Sequence, residues 1–341
     1  MTELDRYSRQ TLLPEIGADG QKRLLASSVA IIGCGALGTV IADGLVRAGV
    51  GKVRIVDRDT IELNNLQRQV LFDEEDIAKG LPKAVAAVQK LKKVNSQVAL
   101  EPLVADVRPD NVERMISDVD LVLDGTDNFE VRYLVNDACV KNDVPWVYAA
   151  VIATYGMTMA IIPHHTPCFR CFLPKMPLPG STPTCDTVGV LSTAVNVIAS
   201  LKLTEGLKIL TGKKDELHGK LIYADVWEGT AKQLEISQGA AVCPTCGQGR
   251  FEFLEAKQGS LLTRLCGRDA VQINMRGKER ISLSELAKRL NSVGKVSFND
   301  YMLRFRVNSY ELTVFPDGRT IVKGTPDEAV ARTLFEKYIG L

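Results

Sequence analysis

Two Cys-x-x-Cys pairs, Cys168-Phe-Arg-Cys171 and Cys243-Pro-Thr-Cys246, constrain this chain more than any other feature, because a metal shared by them would bring together two stretches distant in sequence. Four thiolates grouped two and two suit a closed tetrahedral zinc site, which clamps a loop near 170 to one near 245 without doing chemistry. The competing arrangements are a pair of dithiol redox motifs, for which a thioredoxin-like context is missing, and two structural disulfides, which a reducing cytosol disfavours. The spacing favours structural zinc held by Cys168, Cys171, Cys243 and Cys246. The remaining cysteines, Cys34, Cys139, Cys185 and Cys266, form no evident disulfide framework.

The 341 residues suffice for one large domain and a smaller one. Lys and Arg total 42 against 41 acidic residues, so there is no global basic field to hold nucleic acid or an anionic membrane. The opening Met1-Thr-Glu-Leu-Asp-Arg6 is polar, unlike a signal peptide, and no apolar run approaches the ~20 residues of a membrane span. A cytoplasmic protein that binds neither nucleic acid nor membrane is expected.

Ser28-Val-Ala-Ile-Ile-Gly33 reads as a buried parallel strand, 36 to 48 as a helix, and Lys52-Val-Arg-Ile-Val-Asp57 as the next strand. This is a β-α-β unit with Gly33-Cys-Gly-Ala-Leu-Gly38 at its first turn and an acid closing its second strand. Alternation continues with a helix over 82 to 94, strands at 98 to 104 and 120 to 124, a helix over 128 to 142, strands at 145 to 152 and 156 to 162, a long helix over 190 to 210 and a strand at 220 to 226. The pattern predicts an α/β fold with a doubly wound, mostly parallel sheet. Residues 173 to 183, rich in Pro and Gly, read as a mobile connection near the active site. The chain divides into a main domain over 1 to 248, a linker over 249 to 264 and a small α+β unit over 265 to 341. That last unit is read as strand 270 to 275, helix 282 to 292, strands 295 to 307, 310 to 315 and 319 to 323, and helix 326 to 338.

The glycine turn offers a phosphate the free N–H groups of a helix start, and Asp57 suits ribose hydroxyls in an ATP or an NAD reading. Asn64-Asn65-Leu66-Gln67-Arg68-Gln69 places amide and guanidinium donors where a triphosphate would extend, which nicotinamide transfer does not need. Lys83 follows Pro82 in a first helical turn, where a cation opposes the helix dipole unless an anion faces it. Asp127, in Gly125-Thr-Asp-Asn128, reads either as an N-cap or as a magnesium ligand beside the phosphates. His164, His165 and His218 receive no role.

Taken together, Arg6-Tyr-Ser-Arg9-Gln10, the glycine turn, Asp57-x-Asp59, Asn65-Leu-Gln-Arg68-Gln69, Pro82-Lys83, Thr126-Asp127-Asn128 and the two CxxC pairs follow the order seen in ThiF/MoeB-type adenylyltransferases. Over about residues 5 to 248 the chain resembles this family of bacterial relatives of ubiquitin-activating enzymes, and it looks most like the extended thiazole-biosynthesis members. The resemblance implies a Rossmann-like fold and an adenylation domain over 1 to 248. Its implied reaction is Mg-ATP-dependent adenylation of the C-terminal glycine of a ubiquitin-like sulfur carrier, with release of pyrophosphate. Gly33, Gly35, Gly38, Asp57 and Asp59 then form the nucleotide site, Asn65, Arg68 and Lys83 meet the phosphates, Asp127 binds magnesium, and Arg9 reaches a partner subunit's site in a homodimer. Cys185 matches the family's mobile-loop cysteine ahead of a long helix, whose N-terminus would lower its thiol pKa; it is read as reactive after adenylation, against the alternative of a small packed residue. A cysteine desulfurase is the expected sulfur donor.

A ThiS-like carrier for thiamin thiazole synthesis leads, with a MoaD-like carrier for molybdopterin cofactor synthesis as the alternative. An NAD-dependent oxidoreductase is disfavoured, since no catalytic His or Tyr-Lys constellation accompanies the glycines. An inactive binding scaffold is disfavoured because every phosphate-handling position is filled.

Overall fold

Strand β1 (Ser28–Ile32) is buried on both sides from Val29 onward, which places it centrally in a parallel sheet. The computed structural model describes residues 4–177, 184–236, 242–255, 262–264, 269–273 and 281–339. They form two units, Met1–Gln258 and Gly259–Leu341. In the first, β1 is followed by β2 (Lys52–Val56), β3 (Ala99–Leu103), β4 (Leu121–Asp124), β5 (Trp146–Ile152), β6 (Tyr155–Ile161), β7 (Leu221–Asp225) and β8 (Thr230–Leu234). Their order across the sheet is β3-β2-β1-β4-β5-β6-β7-β8. The β3-β2-β1-β4-β5 part is parallel with the doubly wound strand order, and β6, β7 and β8 continue it antiparallel.

Side-chain alternation divides this sheet between two cores. Val29 and Ile31 of β1, Leu121 and Leu123 of β4, and Val147 and Ala149 of β5 join one, beneath helices Ala36–Ala48, Lys83–Val94 and Ser192–Leu210. Ala30, Ile32, Val122, Trp146 and Tyr148 join the other, with helix Phe129–Lys141 and Cys168 and Cys243. Each buried Val, Leu or Ile contributes about 1.5–3 kcal/mol. Helices Ala36–Ala48 and Ser192–Leu210 touch closely at Gly44, where an added Cβ would stand 2.2 Å from Leu203 Cδ2.

The second unit holds β9 (Leu262–Arg264), β10 (Ala270–Ile273), β11 (Lys295–Phe298), β12 (Leu303–Val307), β13 (Tyr310–Val314) and β14 (Thr320–Lys323). They form an antiparallel sheet in the order β11-β12-β13-β14-β10-β9. Helices Leu283–Leu290 and Glu328–Tyr338 pack on its apolar side around Leu303, Phe305, Leu312, Val314 and Phe335. Ser282 and Asp327 cap their N-termini.

The stretch 295 to 307, expected as one strand, is a hairpin. The Asn299 side chain accepts the N–H groups of Tyr301 and Met302 at 2.9 and 3.0 Å and turns the chain between β11 and β12. Strand β8 was not expected. Its five residues are all exposed, so it carries none of the alternation that marks a half-buried strand. Helices Gly17–Ala26, Glu74–Lys79 and Val112–Ile116 are likewise additional to the sequence pattern. Within the stretch read as linker, Glu252–Glu255 is a helical turn packed on Phe129–Lys141.

Candidate active site

β1, β2 and β4 end side by side, and the glycine turn occupies the crevice at their C-terminal ends. Gly33 N–H donates to Val56 O at 2.8 Å, tying the turn after β1 to the end of β2, and Gly125 N–H donates to Ile32 O at 2.7 Å, tying the turn after β4 to the end of β1. Gly33 has φ +94°, and a Cβ on it would stand 2.7 Å from the Gly125 carbonyl carbon. A Cβ on Gly38 would lie 2.0 Å from Gly33 O, so this glycine lets the helix close on the turn. Gly35 differs, since its nearest neighbours would be 3.8 and 3.9 Å away, at Gly125 O and Gln69 Nε2. It is the N-cap of Ala36–Ala48 and supplies no side-chain cap, so the first N–H groups of that helix are available to an anion.

Asp57 follows β2 and turns back on this loop. Its carboxylate accepts Cys34 N–H at 2.6 Å and Asp59 N–H at 2.7 Å, one on each oxygen, which leaves further lone pairs for hydroxyl donors. Burial raises its pKa, opposed chiefly by the charge of Lys83. Lys83 is 4% exposed at the start of its helix. Its Nζ stands 3.4 Å from Asp59 Oδ2, so the anion that offsets the helix dipole is supplied by the chain itself.

The Asn64–Gln69 segment is organised from within. Asn65 Oδ1 accepts Glu62 N–H at 3.0 Å while its Nδ2 donates to Asn64 Oδ1 at 3.0 Å, so this buried amide sets the short helical turn Leu63–Asn65. Arg68 Nη1 donates to Asn64 O at 2.8 Å and the residue remains half-exposed. Gln69, only 3% exposed, has an Oε1 without a hydrogen-bond partner among the described residues. A buried orphan acceptor beside a glycine cradle fits a site that a polar ligand completes.

At the end of β4, the N-cap of Phe129–Lys141 is Asn128, whose side chain accepts Val131 N–H at 3.2 Å. Asp127 is therefore not the cap; it is exposed at the crevice mouth, an oxygen donor suited to a hard cation. Beneath it lies a network the sequence reading missed. Asp124 Oδ1 accepts Thr126 N–H and Oγ1–H at 2.9 and 2.7 Å, and Oδ2 accepts Arg132 Nε–H at 3.1 Å. Arg132 Nη2 donates to Thr126 O and to Ala149 O. Lys202 Nζ donates to the Asp124 main-chain oxygen. Burial, with Arg132 adding to it, pulls the Lys202 pKa down to about 7, against the opposing charge of Asp124. One signal was legible: Lys202 sits on the same stripe as Val195, Ile198, Ala199 and Ile209, where an apolar residue belongs.

Cys185 does not stand at the long helix. It opens its own four-residue helix, Cys185–Val188, and the long helix begins at Ser192. Its half-buried Sγ is 3.7 Å from Val151 O at the end of β5, and the following chain is pinned by Ala153 N–H to Gly189 O and Leu191 N–H to Ala153 O, at 3.0 and 2.8 Å. Residues 178–183 of the Pro/Gly connection and Cys266 lie outside the described residues. Cys34 and Cys139 are fully buried, as packing predicts. His164 pairs with Asp143 at 2.6 Å on the surface. Arg9 is exposed on Ser8–Thr11, next to Gln10, whose Nε2 donates to Ala48 O at 3.1 Å. That contact lies at the C-terminal end of the 13-residue helix whose start holds the glycine turn, a separation of about 20 Å.

The four cysteines converge. Their Sγ atoms lie within 4.8 Å of one another, with Cys168 at 3.6 Å from Cys243 and 3.9 Å from Cys171, and Cys171 at 3.4 Å from Cys246. Zinc–sulfur bonds of about 2.3 Å in a tetrahedron separate the sulfurs by about 3.8 Å, so the donor set and its spacing fit zinc. Both loops rest on helix Phe129–Lys141. Asn136 Oδ1 accepts Phe169 N–H, and Asp137 accepts Thr245 Oγ1–H and Phe253 N–H, all at 2.9 Å.

Residues 7–245 match the ThiF family. A Bacillus subtilis (strain 168) protein named "Sulfur carrier protein ThiS adenylyltransferase" is 42% identical over 337 residues, covering 98% of this chain and 99% of that one. A Thermus thermophilus "Sulfur carrier protein adenylyltransferase" is 40% identical over 251 residues, 72% of this chain and 91% of that one. Among solved structures, E. coli MccB with ATP superposes with a TM-score of 0.63 at 24% identity, covering 71% of this chain and 74% of that chain, a likeness of fold. Among the described residues no helix is long and apolar enough to cross a membrane.

Elemental analysis is expected to find about one zinc per chain, because the cluster offers one tetrahedral set and no open position. Cys243→Ser should lower metal content and thermal stability together. A variant that loses zinc yet melts with the wild type would show that the metal does not hold the loops.

Proposed function

The chain belongs to the ThiF family, and from that premise we propose that it uses ATP to adenylate the C-terminal glycine of a ThiS-like, ubiquitin-like sulfur carrier in thiamin thiazole biosynthesis, releasing pyrophosphate. It is an adenylyltransferase acting on a sulfur-carrier protein. The observation that carries the reading is the meeting of the glycine cradle, Asp57, Lys83 and Asp127 at the C-terminal ends of β1, β2 and β4.

The carrier carboxylate is already an anion at neutral pH and needs no general base. Its oxygen attacks the α-phosphorus, that P–O bond forms, and the bond to the bridging oxygen breaks as pyrophosphate leaves. Negative charge gathers on the phosphoryl oxygens, so positioned cations and N–H groups supply the catalysis. Asp57 faces the ribose, the start of helix Ala36–Ala48 and Gly35 take the phosphates, and Arg68 and Lys83 meet the charge that develops. Asn65 sets the turn that aims Arg68. Asp127 holds magnesium, which when bound neutralises phosphate charge.

The same reading makes the enzyme a cytoplasmic homodimer. Arg9 does not reach the glycine turn of its own chain, being about a helix length away, and is assigned to the partner's site. Cys185 acts after adenylation, where its thiolate takes the outer sulfur of a desulfurase persulfide, releasing the desulfurase thiolate, or attacks the carrier's acyl-adenylate carbonyl carbon and expels AMP.

Pyrophosphate exchange with ThiS-like and MoaD-like carriers, set beside an NAD-binding titration, tests the function. Arg68→Ala, Lys83→Ala and Asp127→Ala should each cost about 2.7–4 kcal/mol in the transition state, a 10²- to 10³-fold loss of rate, with the fold intact. Exchange at wild-type rates in these variants would remove them from the chemistry, and tight NAD binding without carrier-dependent turnover would defeat the reading. For the dimer, Arg9→Ala chains mixed with Lys83→Ala chains should rebuild one working site per heterodimer, and no recovery in verified heterodimers would return Arg9 to its own chain. Cys185→Ala should keep exchange but lose any covalent carrier or persulfide adduct in intact-mass spectra. An unchanged adduct and thiocarboxylate yield would make Cys185 structural.

A further inference from the structure

Lys202 has no exposed surface and sits midway along Ser192–Leu210, on the stripe that packs into the sheet. A leucine there would bury without the desolvation that an ammonium incurs, so the lysine has to be explained by what it holds. It holds one main-chain atom. Pairing of β4 with β5 stops at Leu123↔Val147, and the oxygen of the next residue, Asp124, is taken by Lys202 Nζ. The Asp124 carboxylate grips Thr126 N–H and Oγ1–H, and Arg132 grips Thr126 O while bonding that carboxylate. Gly125 N–H is held by Ile32 O. The turn from Asp124 to Thr126 is thereby tied on its strand, helix and crevice sides, and Asp127 is the next residue out.

We propose that Lys202 is a positioning residue for adenylation, setting the backbone of the Asp124–Thr126 turn and thereby the seat of Asp127 against the glycine turn. The inference rests on the reading that Asp127 serves the nucleotide. Two buried cations, Lys202 and Arg132, face a single carboxylate, Asp124, with Asp127 and Tyr148 lying toward Arg132. Such an arrangement keeps the turn rigid only while each donor finds its oxygen.

The test compares Lys202→Met, which keeps length and loses the donor, with Lys202→Gln, which keeps an uncharged donor, both in the full chain. With a ThiS-like carrier, Lys202→Met should lower kcat for pyrophosphate exchange on the order of ten- to a hundredfold, as a small misplacement of a reacting group does. The KM for ATP should stay within about threefold, because Asp57 and the start of helix Ala36–Ala48 are held by hydrogen bonds of their own. Amide hydrogen exchange over residues 124 to 127 should quicken, and Lys202→Gln should recover part of both effects. A wild-type kcat in a folded Lys202→Met protein, or a fall in kcat with exchange over 124 to 127 unchanged, would overturn the proposal. If Lys202→Met does not fold, Lys202→Gln decides: an intermediate kcat with quickened exchange supports the role, and wild-type values of both reject it. Wild-type protein that turns over neither carrier would instead defeat the adenylation reading, while the hydrogen-exchange comparison, which needs no turnover, still judges the lysine's hold.

Discussion

The crevice depends on how closely two backbone turns approach, the one after β1 at Gly33 and the one after β4 at Gly125. A Cβ on Gly125 would lie 2.1 Å from Gly33 O, and one on Gly33 would lie 2.7 Å from the Gly125 carbonyl carbon. Neither position has room for a side chain. The contact brings the start of helix Ala36–Ala48, an anion-binding end, beside the loop that carries Asp127, and it lets strand order 3-2-1-4 open at its reversal, where ligands of such sheets bind.

Helix Phe129–Lys141 links that crevice to the four-cysteine cluster. Capped by Asn128, it supplies Arg132 to the β4 turn, and its middle receives the cysteine loops through Tyr133, Asn136 and Asp137. Zinc, binding folded and not unfolded chain, would stabilise this arrangement by mass action while remaining apart from the reaction. The Arg170–Glu252 pair at 3.0 Å and the stacked rings of Tyr133 and Phe253 close the same corner.

Two cations of the site, Lys83 and Arg132, are paired by the chain itself before any ligand arrives. Lys83 is matched by Asp59, and Arg132 by Asp124. Each of these cations is thereby held in place by an anion of the chain itself. Such preorganisation is what charge development at phosphorus calls for, since water would otherwise have to reorient at the moment of reaction.

Local pattern was enough for the β-α-β unit. Val29–Ile32 is apolar throughout because both its faces are buried, and Gly33 and Gly38 stand where the turn leaves no room for a side chain. The cysteine spacing likewise specified that two distant loops meet. β8 was illegible, since an exposed edge strand imposes no alternation, and the β11–β12 turn hung on one asparagine side chain. The sequence named Lys83, Asp127 and Cys185 by their neighbours in the chain. It could not say that Asp59 faces Lys83, that Asn128 does the capping, or that Lys202 meets the Asp124 oxygen. Strand and helix periods arise from nearest-neighbour sterics and burial, which sequence carries, whereas the partner of a buried charge is set by which elements lie side by side, and only the folded chain decides that.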